Sequence, residues 1–226
     1  MDIELEKKIE KCFIEFIGTF FLVFAVGSTA LFGTNSAISA VVVGLALMIM
    51  VYAGGYISGG HYNPAVSLAA FAAKALDKKD LLPYWASQFL GALLAVYFAR
   101  GMAVVTLPDP VCFYSMSQIM LGEFLFTFIL CLVVLNTTVS SKSVGNSYYG
   151  LVIGATVTVG AFAVGGIACF GAFNPAIAVG MGLLQMACWS GLLVTIFTNV
   201  IAGALAAYVY RYINGERFVT TKNEEE

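Results

Sequence analysis

Two carboxylates, one imidazole and two asparagines hold most of the chemistry this chain could do. Glu15 and Glu123 each stand inside a long apolar run. A charged side chain at lipid depth costs at least ~2.5–3.5 kcal/mol, so each needs a reason to be there. His61 is the single histidine and sits in Gly60-His61-Tyr62-Asn63-Pro64-Ala65-Val66. Asn174 sits in a partner segment, Gly171-Ala172-Phe173-Asn174-Pro175-Ala176-Ile177-Ala178. No nucleophile–base pair supports an enzyme. The five cysteines (Cys12, Cys112, Cys131, Cys169, Cys188) have no metal-ligand spacing, so neither a metal nor a cofactor is expected.

Positioning these groups falls to the segments around them. Asn at an N-cap followed by Pro at the first helical position is a helix start. The apolar runs that follow Asn63 and Asn174 end near Lys74 and Gln185, after ten to eleven residues. That is too short to cross a hydrocarbon core of ~30 Å. The rest of the chain is built for lipid: 60% of its 226 residues are hydrophobic and 11% charged, with mean hydropathy +0.91. A soluble domain is ~45–50% apolar and ~25% charged. Spans are predicted at about 12–32, 37–53, 83–105, 117–135, 148–164 and 188–210. Around them lie a charged lead-in (1–11), glycine-rich breaks (54–60 and 165–166), a solvated turn (74–80), a Pro-rich linker (107–110), a polar loop (136–147) and a charged tail (214–226). A net charge of −2 without a basic cluster gives no sign of a nucleic-acid partner.

The halves repeat one order: carboxylate-bearing span, span, glycine break, Asn-Pro-Ala, span. Glu15 and Glu123 are 108 positions apart, and Asn63 and Asn174 are 111 apart. One all-α membrane domain over 12–213 follows, with repeat one at about 12–105 and repeat two at about 116–213. Three spans per half is odd, so the repeats are inverted. Both termini, the 74–80 turn and the 136–147 loop share a side that holds ten of the eleven Lys and Arg residues, Arg100 being the exception. The positive-inside rule makes that side cytoplasmic in a multi-pass protein. Tyr84, Trp85, Trp189, Tyr208, Tyr210 and Tyr212 are expected as interfacial anchors, and Cys12, Cys131, Cys169 and Cys188 as small core residues.

Inverted half-helices bring two N-termini to the midplane, each with unpaired N–H groups and roughly +0.5 of an elementary charge. Two such ends oppose cations and protons. Asn amides donate to a passing neutral oxygen, and carbonyls of the glycine breaks accept. The whole chain from about Ile14 to Ile213 resembles the aquaporin (major intrinsic protein) family. The resemblance rests on Glu15-Phe16-Ile17-Gly18-Thr19, on Ser58 through Val66, on Gln88 with Gly91-Ala92, on Gly122-Glu123-Phe124 and on both Asn-Pro-Ala motifs. It implies six tilted helices and two half-helices around one pore per protomer, a homotetramer in a lipid bilayer, and passage of water and small neutral solutes. It also implies a structural role for Glu15 and Glu123, as acceptors for re-entrant-loop backbone, ahead of a proton relay. His61 is read as fastening its loop ahead of acting as a gate or pH sensor.

Counted from this chain's motifs, the family's outer constriction falls on Val43, Phe162, Gly171 and Ile177. Typical members have Arg where this chain has Ile177. The expected filter is therefore uncharged, with small Val43 and Gly171 widening it and one ring, Phe162, able to narrow it. Ala178 replaces the Asp usual in glycerol-conducting members. Gly171 occupies the common mercury-sensitive cysteine position, so weak mercury block is expected, with Cys169 the nearby thiol. The alternatives are a channel preferring glycerol, urea or a gas, a structural or adhesion protein whose pore Phe162 closes, and a secondary transporter, which would need more lumenal charge than two glutamates.

Overall fold

The computed structural model describes residues 3–103, 115–164 and 171–215. The 107–110 linker, the 165–166 break, Cys112, Cys169 and the end of the tail lie outside these. The first half runs α1 (Ile3–Leu31), α2 (Ser36–Ser58), short α3 (Pro64–Ala72) and α4 (Lys78–Met102). The second runs α5 (Met116–Val134), α6 (Tyr149–Val164), short α7 (Pro175–Leu183) and α8 (Trp189–Ile213). Among the described residues, five helices are long and apolar enough to cross a membrane, and α6 is a shorter apolar helix.

Packing follows the repeat. Helix α1 lies on α4 and α5 on α8, while α2 against α6 joins the halves. Each short helix is gripped from both halves: α3 packs on α4 and α8, and α7 on α8 and α4. Where α2 and α6 cross, a Cβ on Gly154 would run into the Gly44 carbonyl, so the absence of side chains sets the interhelical distance.

The short helices begin as their sequence dictates. Asn63 and Asn174 are extended N-caps whose side-chain oxygens accept the N–H of Ala65 and Ala176, with proline in the first turn. Each helix is nine residues long, a little shorter than expected. Their ends match too. Lys74 and Gln185 take left-handed backbone, and the next residues, Ala75 and Met186, donate back to Ala70 and Met181. This satisfies carbonyls a helix end would otherwise leave open.

Several expected boundaries move. Helix α2 continues through Gly54 and Gly55 to Ser58, so most of the first glycine break is helical. Gly54 makes room instead: a Cβ there would strike the Tyr62 hydroxyl and Ile14. Helix α1 starts at Ile3, making residues 3–11 part of it instead of a separate surface segment. Asp80, expected in a solvated turn, is 5% exposed and pairs with Lys8 and Lys11 of α1, each at 3.8 Å. Lys79 pairs with Glu4. Helix α4 starts at Lys78 and carries Pro83 inside it. Proline cannot donate to the carbonyl four residues back. That carbonyl, on Lys79, instead accepts from the Lys8 ammonium at 3.0 Å, so the extension of α1 mends the gap. At the C-terminal end of α5 the helix widens into a π-turn over Leu135–Val139.

The anchor and cysteine readings also change in part. Tyr84 and Tyr210 are buried at 1% exposure, whereas Trp189, Tyr208 and Tyr212 are exposed. Cys131 is a buried free thiol, but Cys188, half-buried at the N-cap of α8, is disulfide-bonded and not a core thiol.

Candidate functional site

The site is built by two buried carboxylates holding two loops. Glu15, fully buried on α1, accepts at one oxygen from the Ser58 hydroxyl (2.7 Å) and the His61 N–H (2.9 Å). Its other oxygen accepts from the Tyr62 N–H (2.6 Å) and the Gln88 amide (2.8 Å). All four partners are donors, which suits an acceptor-only carboxylate. The Gln88 amide also reaches Ser67 at 2.8 Å, and Ser67 meets the His61 ring at 3.1 Å. Tyr84 donates to the Ser58 carbonyl at 2.7 Å, so this ring braces the loop from beneath. Trp85 reaches the Pro64 carbonyl at 3.0 Å.

Glu123, fully buried on α5, does the same for the second loop. It accepts the N–H groups of Ala172 at 2.8 Å and Phe173 at 2.9 Å. Tyr62 and Phe173, one before each Asn, share the same left-handed backbone at φ 48°. Strain of this kind persists only where surroundings over-determine it, and the carboxylate below each loop supplies that constraint. At the C-terminal end of α7, Arg100 donates to the carbonyl of Leu183. A cation at a helix C-terminus is favourable, which gives Arg100 a place.

Between the loops the asparagines meet. The Asn63 amide donates to the Phe173 carbonyl (2.8 Å) and the Asn174 amide to the Tyr62 carbonyl (2.9 Å). With each side-chain oxygen committed to the N–H two residues on, one N–H per amide remains for another acceptor. Both asparagines line a cavity of about 590 Å³. Its walls are mostly apolar, from Leu22, Val26, Leu47, Leu130, Val134 and Val157 among others.

The four positions expected at a constriction, Val43, Phe162, Gly171 and Ile177, all line this cavity, as does His61. Ile177 is 5% exposed, packed in the core with only an edge on the lumen. Phe162 is 55% exposed, so its ring is not buried among core side chains. Gly171 contributes backbone: its φ is +55°, and a Cβ there would press on the Phe173 ring at 3.1 Å.

The buried polar residues Thr127 and Asn199 also belong to the second loop's support. Sequence reading passed over both. The signal was present, because Asn199 follows Gln88 by the same 111 positions that separate Asn63 from Asn174, and Thr127 follows Thr19 by the 108 that separate the glutamates.

The model of the family described as "Major intrinsic protein" matches residues 3–210. The chain belongs to the major intrinsic protein family. Its relatives include Aquaporin NIP1-1 of Oryza sativa subsp. japonica, 33% identical over 218 residues that cover 91% of this chain and 76% of that protein. Aquaporin AqpM of Methanothermobacter thermautotrophicus is 30% identical, with 92% of this chain and 98% of that protein covered. The aquaglyceroporin from Plasmodium falciparum, solved by X-ray, shares the fold with a TM-score of 0.77 at 20% identity, over 93% of this chain and 100% of that one. As a major intrinsic protein the chain is a passive membrane channel for water and small solutes, and it is not an enzyme.

Proposed function

We propose that water and other small uncharged solutes move single-file past the Asn63 and Asn174 amides, through an outer constriction formed by Val43, Phe162, Gly171 and Ile177. The observation that carries this reading is the pair of crossed amides on one cavity, each with a spare N–H. A solute oxygen passing there accepts from both in turn. The half-helix N-termini behind them oppose cations. The constriction residues supply neither charge nor side-chain donors, so discrimination there rests on width and on the ease of wetting an apolar ring. The openness of Phe162 argues for passage over closure, and favours a range reaching beyond water to glycerol or urea.

The same reading places both termini in the cytoplasm. Cys188 begins α8 at the opposite end from the tail, and its disulfide suits an oxidising exterior. The exposed apolar helix faces meet lipid and, in the expected homotetramer, neighbouring copies.

The test of the filter is Ile177→Arg in vesicles, with water and glycerol permeability measured by stopped-flow light scattering. Glycerol flux is expected to fall about tenfold, because the new side chain narrows the opening and fixes a charge there, while water flux changes less. If both fluxes keep their wild-type values in folded protein, Ile177 does not stand at the constriction.

A further inference from the structure

Helix α8 buries one side-chain amide that the lumen itself does not use. Asn199 has no exposed surface. The surrounding groups assign its orientation: Nδ2 turns toward α5, 3.1 Å from Glu123 Oε2, 2.8 Å from Thr127 Oγ1 and 3.2 Å from the Thr195 carbonyl. Oδ1 then accepts the main-chain N–H of Asn174 at 2.9 Å. Turned over, a carbonyl would face a carboxylate and an N–H would face an N–H, so chemistry permits one orientation.

Asn174 is the N-cap of α7, and its own N–H has no partner within that helix. Its side chain is already committed to the Ala176 N–H and the Tyr62 carbonyl. We propose that Asn199 is a positioning residue for conduction: it ties the backbone of Asn174 to Glu123 and so sets where the second lumenal amide stands. The first half lacks this arrangement. Gln88, at the equivalent position, bonds Glu15 and Ser67, and its own carbonyl oxygen has no partner. The two lumenal asparagines are therefore held by different means, and the second depends on α8.

The inference rests on the conduction route proposed above. Its test uses the full chain in vesicles, as wild type, N199D and N199L. N199D keeps an acceptor for the Asn174 N–H but sets a second carboxyl against Glu123. Among the described residues the other contacts to Glu123 are the Ala172 and Phe173 N–H groups. The ion pairs found among the described residues, Lys8–Asp80, Lys11–Asp80 and Lys79–Glu4, lie elsewhere, and none of these residues' cations pairs with Glu123. Two adjacent carboxyls share a proton at low pH and repel when it leaves, so water flux of N199D relative to wild type is expected within about twofold at pH 5 and at least about tenfold lower at pH 9, reversibly. N199L is expected to change the water-to-glycerol ratio, which loss of folded protein alone would leave unmoved. A constant N199D-to-wild-type ratio from pH 5 to 9 overturns the proposal. So does a folded N199L with the wild-type water-to-glycerol ratio. Wild-type vesicles no faster than empty ones would remove the route itself, and the role of Asn199 with it.

Discussion

Glu15→Gln is expected to be nearly as damaging as Glu15→Leu, despite differing from wild type by little more than an amide nitrogen. The wild-type carboxylate receives four donors: Ser58, the N–H groups of His61 and Tyr62, and Gln88. Glutamine offers one accepting oxygen, so its NH2 must face two of those donors. Leaving buried donors unpaired costs ~1–3 kcal/mol each. The loop that loses its anchor carries Tyr62 in left-handed backbone and Asn63 beside it, so stability and lumen geometry fail together. The expected readouts are a lower midpoint in detergent thermal unfolding and water flux near that of empty vesicles. Wild-type stability in the Gln variant would mean that the carboxylate is not what fixes this loop.

Gly203→Ala is expected to be strongly disruptive for a single added methyl, and to act directly on the lumen. A Cβ at Gly203 would stand 2.6 Å from the carbonyl oxygen of Ala65 and 3.3 Å from its carbonyl carbon. Those atoms are backbone, in the first turn of α3 and within the Asn-Pro-Ala motif, so no side chain can swing aside. Overpacking of this kind costs typically ~1–3 kcal/mol, and relief requires α8 or α3 to shift bodily. A shift of α3 carries Asn63 with it, so flux should fall further than stability alone accounts for. Gly101→Ala is the control, since a Cβ there meets nothing within 4 Å and should leave both stability and flux unchanged. Equal behaviour of the two variants would show that the α3–α8 contact has room that its geometry denies.

Much of this architecture could be read from the chain before its structure. The 111-residue interval between two Asn-Pro-Ala motifs, each capping a run too short to cross the membrane, dictates paired half-helices. A buried carboxylate ahead of each gives the loops something to bond. Other features were hidden because a residue type has more than one physical use. Glycine at positions 54 and 55 reads as a break, yet α2 continues through both, and Gly54 leaves space for the Tyr62 hydroxyl. Pro83 reads as a helix start, yet it sits inside α4 because Lys8, distant in sequence, serves the carbonyl it leaves unpaired. Tyr84 near a span end looks like an interfacial anchor, but the Ser58 carbonyl draws it inward. The four residues expected at the filter all line one cavity, whereas the exposure of the Phe162 ring depends on tertiary placement.

The most direct measurement is osmotic shrinkage of vesicles containing the purified full-length protein, followed by stopped-flow light scattering over a range of temperatures. The account predicts water flux well above that of empty vesicles, with a temperature dependence close to bulk diffusion, because crossed Asn63 and Asn174 amides replace the hydrogen bonds that water leaves behind. Flux indistinguishable from empty vesicles, in preparations shown to be folded and inserted, would contradict it.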